Sequence, residues 1–497
     1  MRQRSAVRIA IVSAAFAVLS GCGGTTTGAT ADGGGTPDGT TDDGTQPADG
    51  QGGVADSGQG AGDAPVMFVP GDGAALPGAG RGTCPDGGTT SLSGTVYDPA
   101  GKNPLYNAVV YIPSDPQGPL PAITPGTGSC SASCDPALST VSGTYVAGAV
   151  TDASGAFRLS GVPAGKSIPL VFQLGKWRRK VAVDTQDCAD TAVPAALTRL
   201  PRNQQEGDVP QMAIVTGACD ELACFMRDIG LDATEFSGPA GGGRLHVYRG
   251  AGPGPDLAGG GAGAAGDCSV AGCPLWSTKA ALEKYDLVLM GCECGEHNET
   301  KPDMGPMHDW LDEGGRVLAT HYQDTWFKNG PADFQGVAGW LASETDGPTP
   351  GPFQIDTTFL AGNNLRAWLS GTRALNFDGT ITLAAADVST SVSSASGSTQ
   401  RWIYDKSSSS LNTKALSFAT PVGGLPLPDG GSESSPRYCG RAMFTDVHAG
   451  GGGVSSAASV PASCMGGTMS AEEKALEYLF FDLSGPCFVQ PPPHPGF

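Results

Sequence analysis

Positive charge is scarce in this chain of 497 residues, where 29 Lys and Arg stand against 49 Asp and Glu for a formal net charge of −20. That balance argues against nucleic acid as a partner and against electrostatic docking on anionic lipid. Aromatic residues make up only 7% of the chain and histidines number six. No stretch after residue 22 is long and apolar enough for a transmembrane helix. A cofactor fingerprint is also missing. Gly250 to Gly266 is glycine-rich, but it does not join a strand directly to a helix cap, so a dinucleotide loop is rejected and no cofactor is expected. What the chain has in quantity is glycine, 76 residues, and, for its class, cysteine, 14 residues.

Arg2, Arg4 and Arg8 precede an apolar run from Ile9 to Leu19, the pattern of a secretory leader. The residues Leu19-Ser20-Gly21-Cys22 resemble the lipobox of bacterial lipoproteins. The resemblance implies that 1–22 is a leader, that Cys22 becomes the lipidated first residue, and that the membrane is reached through a lipid anchor. Gly23 in place of aspartate then favours the outer membrane or cell surface. Residues 23–87 are mostly Gly, Thr, Asp, Ala, Pro, Gln and Ser. Such a stretch buries too little apolar area to offset chain entropy and is expected to be a disordered tether. Thirteen cysteines follow Cys22. In an exported chain most are expected in disulfides, and the odd count leaves at least one outside internal pairs.

Residues 88–203 read as short β-rich runs between turn residues, the pattern of a small β-sandwich. Gly94-Thr95-Val96-Tyr97-Asp98, Asn103 to Val110, and Thr151-Asp152 through Gly161-Val162-Pro163-Ala164-Gly165 resemble the carboxypeptidase regulatory-like domain. That resemblance implies a prealbumin-like sandwich, sometimes grouped with carbohydrate-binding-like folds, that stabilises or spaces its neighbours. The zinc carboxypeptidase domain for which the family is named is not implied, since no His-x-x-Glu pair occurs. Cys130 and Cys134 are expected to staple an insertion between Pro113 and Thr144. Trp177-Arg178-Arg179-Lys180 reads as a solvated strand edge rather than a sugar platform.

Residues 208–487 alternate between buried strands and amphipathic helices, which predicts a doubly wound parallel sheet. The strands are Gln211 to Gly217, one near Arg244 to Tyr248 or Ala233 to Phe236, Leu287 to Met290, Arg316 to His321 and Arg441 to His448. Asp220 is placed to cap the helix carrying Leu222, Phe225, Met226 and Ile229, and Trp276 to Lys284 is expected to be a short helix. Met304, Met307, Trp310 and Leu311 mark a further helix, and Ser470 to Glu473 is a capping box for the last one. Residues 345–435, with runs at Thr380 to Ala384, Gln400 to Tyr404 and Leu416 to Ala419, read as a β insertion, and 488–497 as a Pro-rich tail. Tyr285 to Met290, Gly314 to Leu318, and Gly440 to His448 with the closing helix resemble the class I glutamine amidotransferase-like fold, in its trehalose-utilisation-type branch. That implies a flavodoxin-like architecture.

Two constellations could carry chemistry. Gly291 to Gly295 resembles the cysteine elbow of the amidotransferases with Cys294 as nucleophile, but His448 is followed by Ala449 and Gly450, so the expected His-x-Glu base pair is missing. Separately, residues just past parallel strand ends share one rim. There Asp220, Glu293, Glu296, His297, His321, Asp324 and His448 would gather, able to bind a divalent metal or to grip a polar ligand such as sugar; no metal is assigned. The sequence therefore favours a binding or structural role at the cell envelope, towards carbohydrate or another envelope component. The alternative is a hydrolase or sugar-modifying enzyme using the rim, with Cys294, Glu293, His321 and His448 as candidates.

Overall fold

The computed structural model describes residues 84–85, 87–126, 145–252, 254–258, 264–345, 351–383, 388–392, 398–406, 413–425, 438–451, 459–464 and 466–485. The expected leader with Cys22, the low-complexity stretch up to residue 83, Cys130, Cys134 and the Pro-rich tail lie outside the described residues. Among the described residues no helix is long and apolar enough to cross a membrane.

Seven strands come first: Ser91–Thr95 (β1), Val109–Pro113 (β2), Tyr145–Val150 (β3), Ala156–Ser160 (β4), Gly165–Leu174 (β5), Trp177–Thr185 (β6) and Asp190–Ala192 (β7). They form two sheets, ordered β4-β1-β7 and β3-β2-β5-β6. Period-two alternation sorts β4, whose Phe157 and Leu159 are buried while Arg158 and Ser160 are exposed. Phe157 meets Phe172 of β5 edge to face, with centroids 6.0 Å apart, so the two sheets share apolar contacts. The turn into β4 forms as its residues dictate: Asp152 accepts from Ser154 N and Ala156 N, and Gly155 takes φ +72° where a Cβ would strike Val96 O.

The second part contains strands Met212–Thr216 (β8), Phe236–Ser237 (β9), Leu245–Arg249 (β10), Asp256–Ala258 (β11), Gly266–Asp267 (β12), Leu287–Met290 (β13) and Arg316–Thr320 (β14). Gly339–Thr345 (β15), Gln354–Ile355 (β16), Val388–Ser391 (β17), Thr399–Tyr404 (β18), Thr413–Thr420 (β19), Gly440–Thr445 (β20) and Ser459–Pro461 (β21) follow. The helices are Leu222–Asp228 (α1), Lys279–Leu282 (α2), Gly305–Asp312 (α3), Thr325–Lys328 (α4), Ala332–Gln335 (α5), Leu360–Gly371 (α6) and Ala471–Ser484 (α7).

The large sheet runs β12-β10-β8-β13-β14-β20-β19-β18-β16. Neighbours from β12 to β20 are parallel, and the last three strands join antiparallel. This is a mixed α/β fold with a parallel sheet. All four residues of β13 are buried, as a central parallel strand requires. Leu287 and Leu289 pack in one apolar cluster with α1 and α7, and Val288 and Met290 in a second with α3.

Several expectations are revised. Of the two candidate second strands, the one near Arg244 to Tyr248 forms as Leu245–Arg249; Ala233–Glu235 is instead a 3-10 turn capped by Asp232, and only Phe236 of that segment enters a strand, the short Phe236–Ser237 that pairs with it. The helix expected at Trp276 to Lys284 shortens to α2, because Thr278 caps it by accepting from Ala281 N. The segment expected as a β insertion also holds the 12-residue α6, and its β18 and β19 extend the main sheet; of the run expected at Thr380 to Ala384, the described residues Thr380 to Leu383 contribute a bridge between Phe353 and Ile381. The edge expected to be solvated is covered at Trp177 and Arg178, while Arg179 is half-buried and Lys180 is exposed. Trp177 is fully buried edge to face on Phe481 of α7, and buried Arg178 pairs with Asp208 at 2.8 Å.

The closing helix α7 also receives Asn103 on Glu477 at 2.6 Å and stacks Tyr478 on Tyr106. Its capping box is complete: Ser470 Oγ accepts from Glu473 N at 3.1 Å and Glu473 Oε2 accepts from Ser470 N at 2.8 Å. Ser470→Ala is expected to lower unfolding free energy by about 1 kcal/mol in urea denaturation, with the slope unchanged.

Candidate functional site

Parallel pairing of β8, β13, β14 and β20 brings their carboxyl ends to one edge of the sheet. β8 leads into Gly217 to Asp220, β13 into Gly291 to Cys294, β14 into His321 and β20 into Asp446 to His448. The first two loops touch. A Cβ at Gly217 would lie 1.9 Å from Cys292 O, so only glycine permits the approach, and Cys219 N donates to Cys292 O at 3.1 Å. That approach leaves Cys219 and Cys294 with Cα atoms 5.2 Å apart and a disulfide between them.

Cys294 therefore does not supply a nucleophile: its sulfur is bonded to Cys219 although its φ of +65° gives it an elbow-like backbone. The thiol of this edge is Cys292, which sits behind the disulfide and is fully buried. Its Sγ lies 3.5 Å from His321 Nδ1, and the ring of His448 stands nearly perpendicular to that of His321 with centroids 5.0 Å apart. One ligand atom from each of Cys292, His321 and His448 lies within 4.8 Å of the others. His321 is held here with φ +44°, a conformation that costs a non-glycine residue on the order of 1 kcal/mol.

Burial, with help from His448, Lys414 and Lys328, pushes the His321 imidazole down to about 3, so its ring is uncharged across the physiological range. Burial raises the Asp220 carboxyl, an effect opposed by the His448 charge and by hydrogen bonds. Asp220 accepts from Thr320 Oγ1 at 2.5 Å and from Ala449 N at 3.0 Å, tying the ends of β8, β14 and β20 together. The expected helix cap is instead Glu221, without a side-chain bond, because Asp220 is turned inward to these partners.

The remaining rim residues go elsewhere. Glu293 accepts from Ala251 N at 2.7 Å, Gln323 Nε2 at 2.9 Å and Lys301 Nζ at 2.7 Å. Glu296 and Asp324 both pair with Lys328, at 2.6 and 3.3 Å. His297 turns to Glu299 and to Glu293 O. The structure thus brings Asp220, His321 and His448 together around Cys292 and leaves Glu293, Glu296, His297 and Asp324 in loop-supporting pairs. Sequence reasoning missed Cys292 as a member of the set. The available signal was its position just past a buried strand, matching His321 and His448 on theirs.

Chemically, one thiol with two imidazoles offers soft and borderline donors, or a thiol beside a base. An open cleft lined by Arg366, Asn376, Phe377 and Gly379 includes none of these residues. Compared with known proteins, the chain matches no family model and no curated protein.

Proposed function

We propose that this chain is an exported lipoprotein, lipidated at Cys22, whose folded part binds or supports a component of the cell envelope, carbohydrate among the candidates, rather than turning over a substrate. The observation that carries this reading is the Cys219–Cys294 disulfide, which occupies the sulfur at the elbow position while Cys292 is fully buried. Other features support the accompanying architecture. Parallel strands in the spatial order second, first, third, fourth, fifth (β10, β8, β13, β14, β20) are consistent with a flavodoxin-like, amidotransferase-like domain. Two small sheets with apolar contacts between them are consistent with a prealbumin-like sandwich beside it. Paired cysteines suit an oxidising compartment.

One observation favours a second reading, a cysteine hydrolase: the 3.5 Å approach of Cys292 Sγ to His321 Nδ1. Two measurements test the pair. In a bacterial host the full chain is expected in the membrane fraction and its Cys22→Ala variant in the soluble fraction; equal partitioning of the two ends the anchor reading. Binding to glycans or envelope extracts is expected to survive Cys292→Ser. A hydrolytic turnover abolished by that substitution would replace binding with catalysis.

A further inference from the structure

We propose that Cys292, His321 and His448 form a binding site for a thiophilic divalent cation of the zinc class. This goes beyond the envelope role above and does not depend on it.

The donor set selects the ion. A thiolate and two imidazoles suit zinc and its neighbours in the first transition row, whereas magnesium and calcium require oxygen ligands. The geometry is close to what such an ion needs. Zinc bonds of about 2.3 Å to sulfur and about 2.05 Å to nitrogen put the two donors about 3.5 Å apart in a tetrahedron. Cys292 Sγ and His321 Nδ1 are 3.5 Å apart, and the His448 donor falls within 4.8 Å of both. Each ligand comes from the end of a different strand, β13, β14 and β20, whose register is fixed by ladder hydrogen bonds. The arrangement is therefore built by the sheet and not by one mobile loop.

Two further observations point the same way. Each of the other described cysteines is disulfide-bonded, yet Cys292 is a thiol. Next to the cluster, buried Asp220 fixes the chain on both sides through Thr320, which precedes His321, and Ala449, which follows His448. Outer groups that orient ligands are regular companions of metal sites, and here Asp220 acts on the segments that carry the two histidines. On binding, the thiol proton of Cys292 passes to solvent and the sulfur ligates as thiolate. Three protein donors leave a fourth position for water or a small anion.

The test uses the full chain, treated with chelator and kept free of reductant so that the disulfides persist. Co²⁺ is added first, then Zn²⁺. One equivalent of Co²⁺ is expected to bind with sulfur-to-cobalt charge-transfer absorption in the near ultraviolet, and one equivalent of Zn²⁺ to abolish that absorption. This spectrum needs no variant and so does not depend on a substituted core folding. In competition dialysis, Cys292→Ser and His448→Gln are each expected to weaken Zn²⁺ binding by on the order of 100-fold or more, and Asp220→Asn by about tenfold. Failure to bind either ion stoichiometrically overturns the proposal. So does stoichiometric binding without the sulfur band, or a sulfur band that persists in Cys292→Ser.

Discussion

Lys301→Met is expected to lower the unfolding free energy by about 3–5 kcal/mol, the cost of leaving one member of a buried ion pair without its counter-charge. The Lys301 and Glu293 side chains are both 0% exposed and 2.7 Å apart. Lys301 Nζ also donates to Glu296 O at 2.9 Å, and Glu293 accepts from Ala251 N and Gln323 Nε2. Removing the ammonium leaves a fully buried carboxylate, still gripped by two neutral donors. Glu293→Gln combined with Lys301→Met is expected to recover most of the loss, since the amide oxygen can keep the bond from Ala251 N and no net charge remains inside. Urea denaturation of the single and double variants at neutral pH checks both statements. A single-variant loss below about 1 kcal/mol would mean that the pair is solvated, contrary to its geometry.

The second large effect is a pH dependence of stability centred on Asp98 and Glu477. Asp98 is fully buried between the two parts of the molecule and approaches Glu477 of α7. Burial raises the Asp98 carboxyl to about 6, against hydrogen bonds from Lys102 N and others, and burial together with Asp98 raises Glu477 well above the usual range. In the unfolded chain both titrate near pH 4. Since the folded values lie above the unfolded ones, the stabilising contribution of the protonated pair is complete below about pH 4. It is lost as pH rises through the folded values, from about pH 4 to 6 for Asp98 and further for Glu477. A shift of about two units for Asp98 corresponds to on the order of 3 kcal/mol. Glu477→Gln keeps an acceptor for Asn103 Nδ2, removes the like charge and adds an amide donor for Asp98. The difference in unfolding free energy between this variant and the parent is expected to be small near pH 4 and to grow in the variant's favour by about 2–3 kcal/mol near pH 7. A difference that stays constant with pH would show that the pair does not share a proton.

Much of the frame was legible because local pattern and tertiary demand coincide. Leu287 to Met290 are four apolar residues in a row, and both faces of the strand they form are covered. The Ser470 capping box is readable for the same reason, since its two bonds span only three residues. The site was less legible because its determinants are distant in sequence. Asp220 stands where a cap belongs, yet donors on Thr320 and Ala449 outcompete the helix end. Nothing local distinguishes Cys292 from Cys294. Which one is oxidised depends on Gly217 letting the two loops close, a contact between chain segments about 75 residues apart. Glu293 looked like a rim ligand because Lys301 reaches it from beyond an intervening short helix. Trp177 and Arg178 read as edge residues, and they lie on an edge strand, but α7 and Asp208 cover them.

The disulfide between Cys84 and Cys188 encloses a loop of sequence separation 104 that contains β1 to β6. Tension applied to the chain ahead of residue 84 therefore bypasses those strands: it crosses the sulfur bridge and re-enters the backbone at Cys188. The hydrogen bonds of β1 are spared from being peeled one by one, and the first extension available to a pull from that side is of residues beyond 188. Without that bridge, as in a Cys84→Ser, Cys188→Ser variant, the same pull would meet β1 directly, so single-molecule stretching of parent and variant in the absence of reductant should differ in released contour length by about 100 residues, roughly 350 Å of chain.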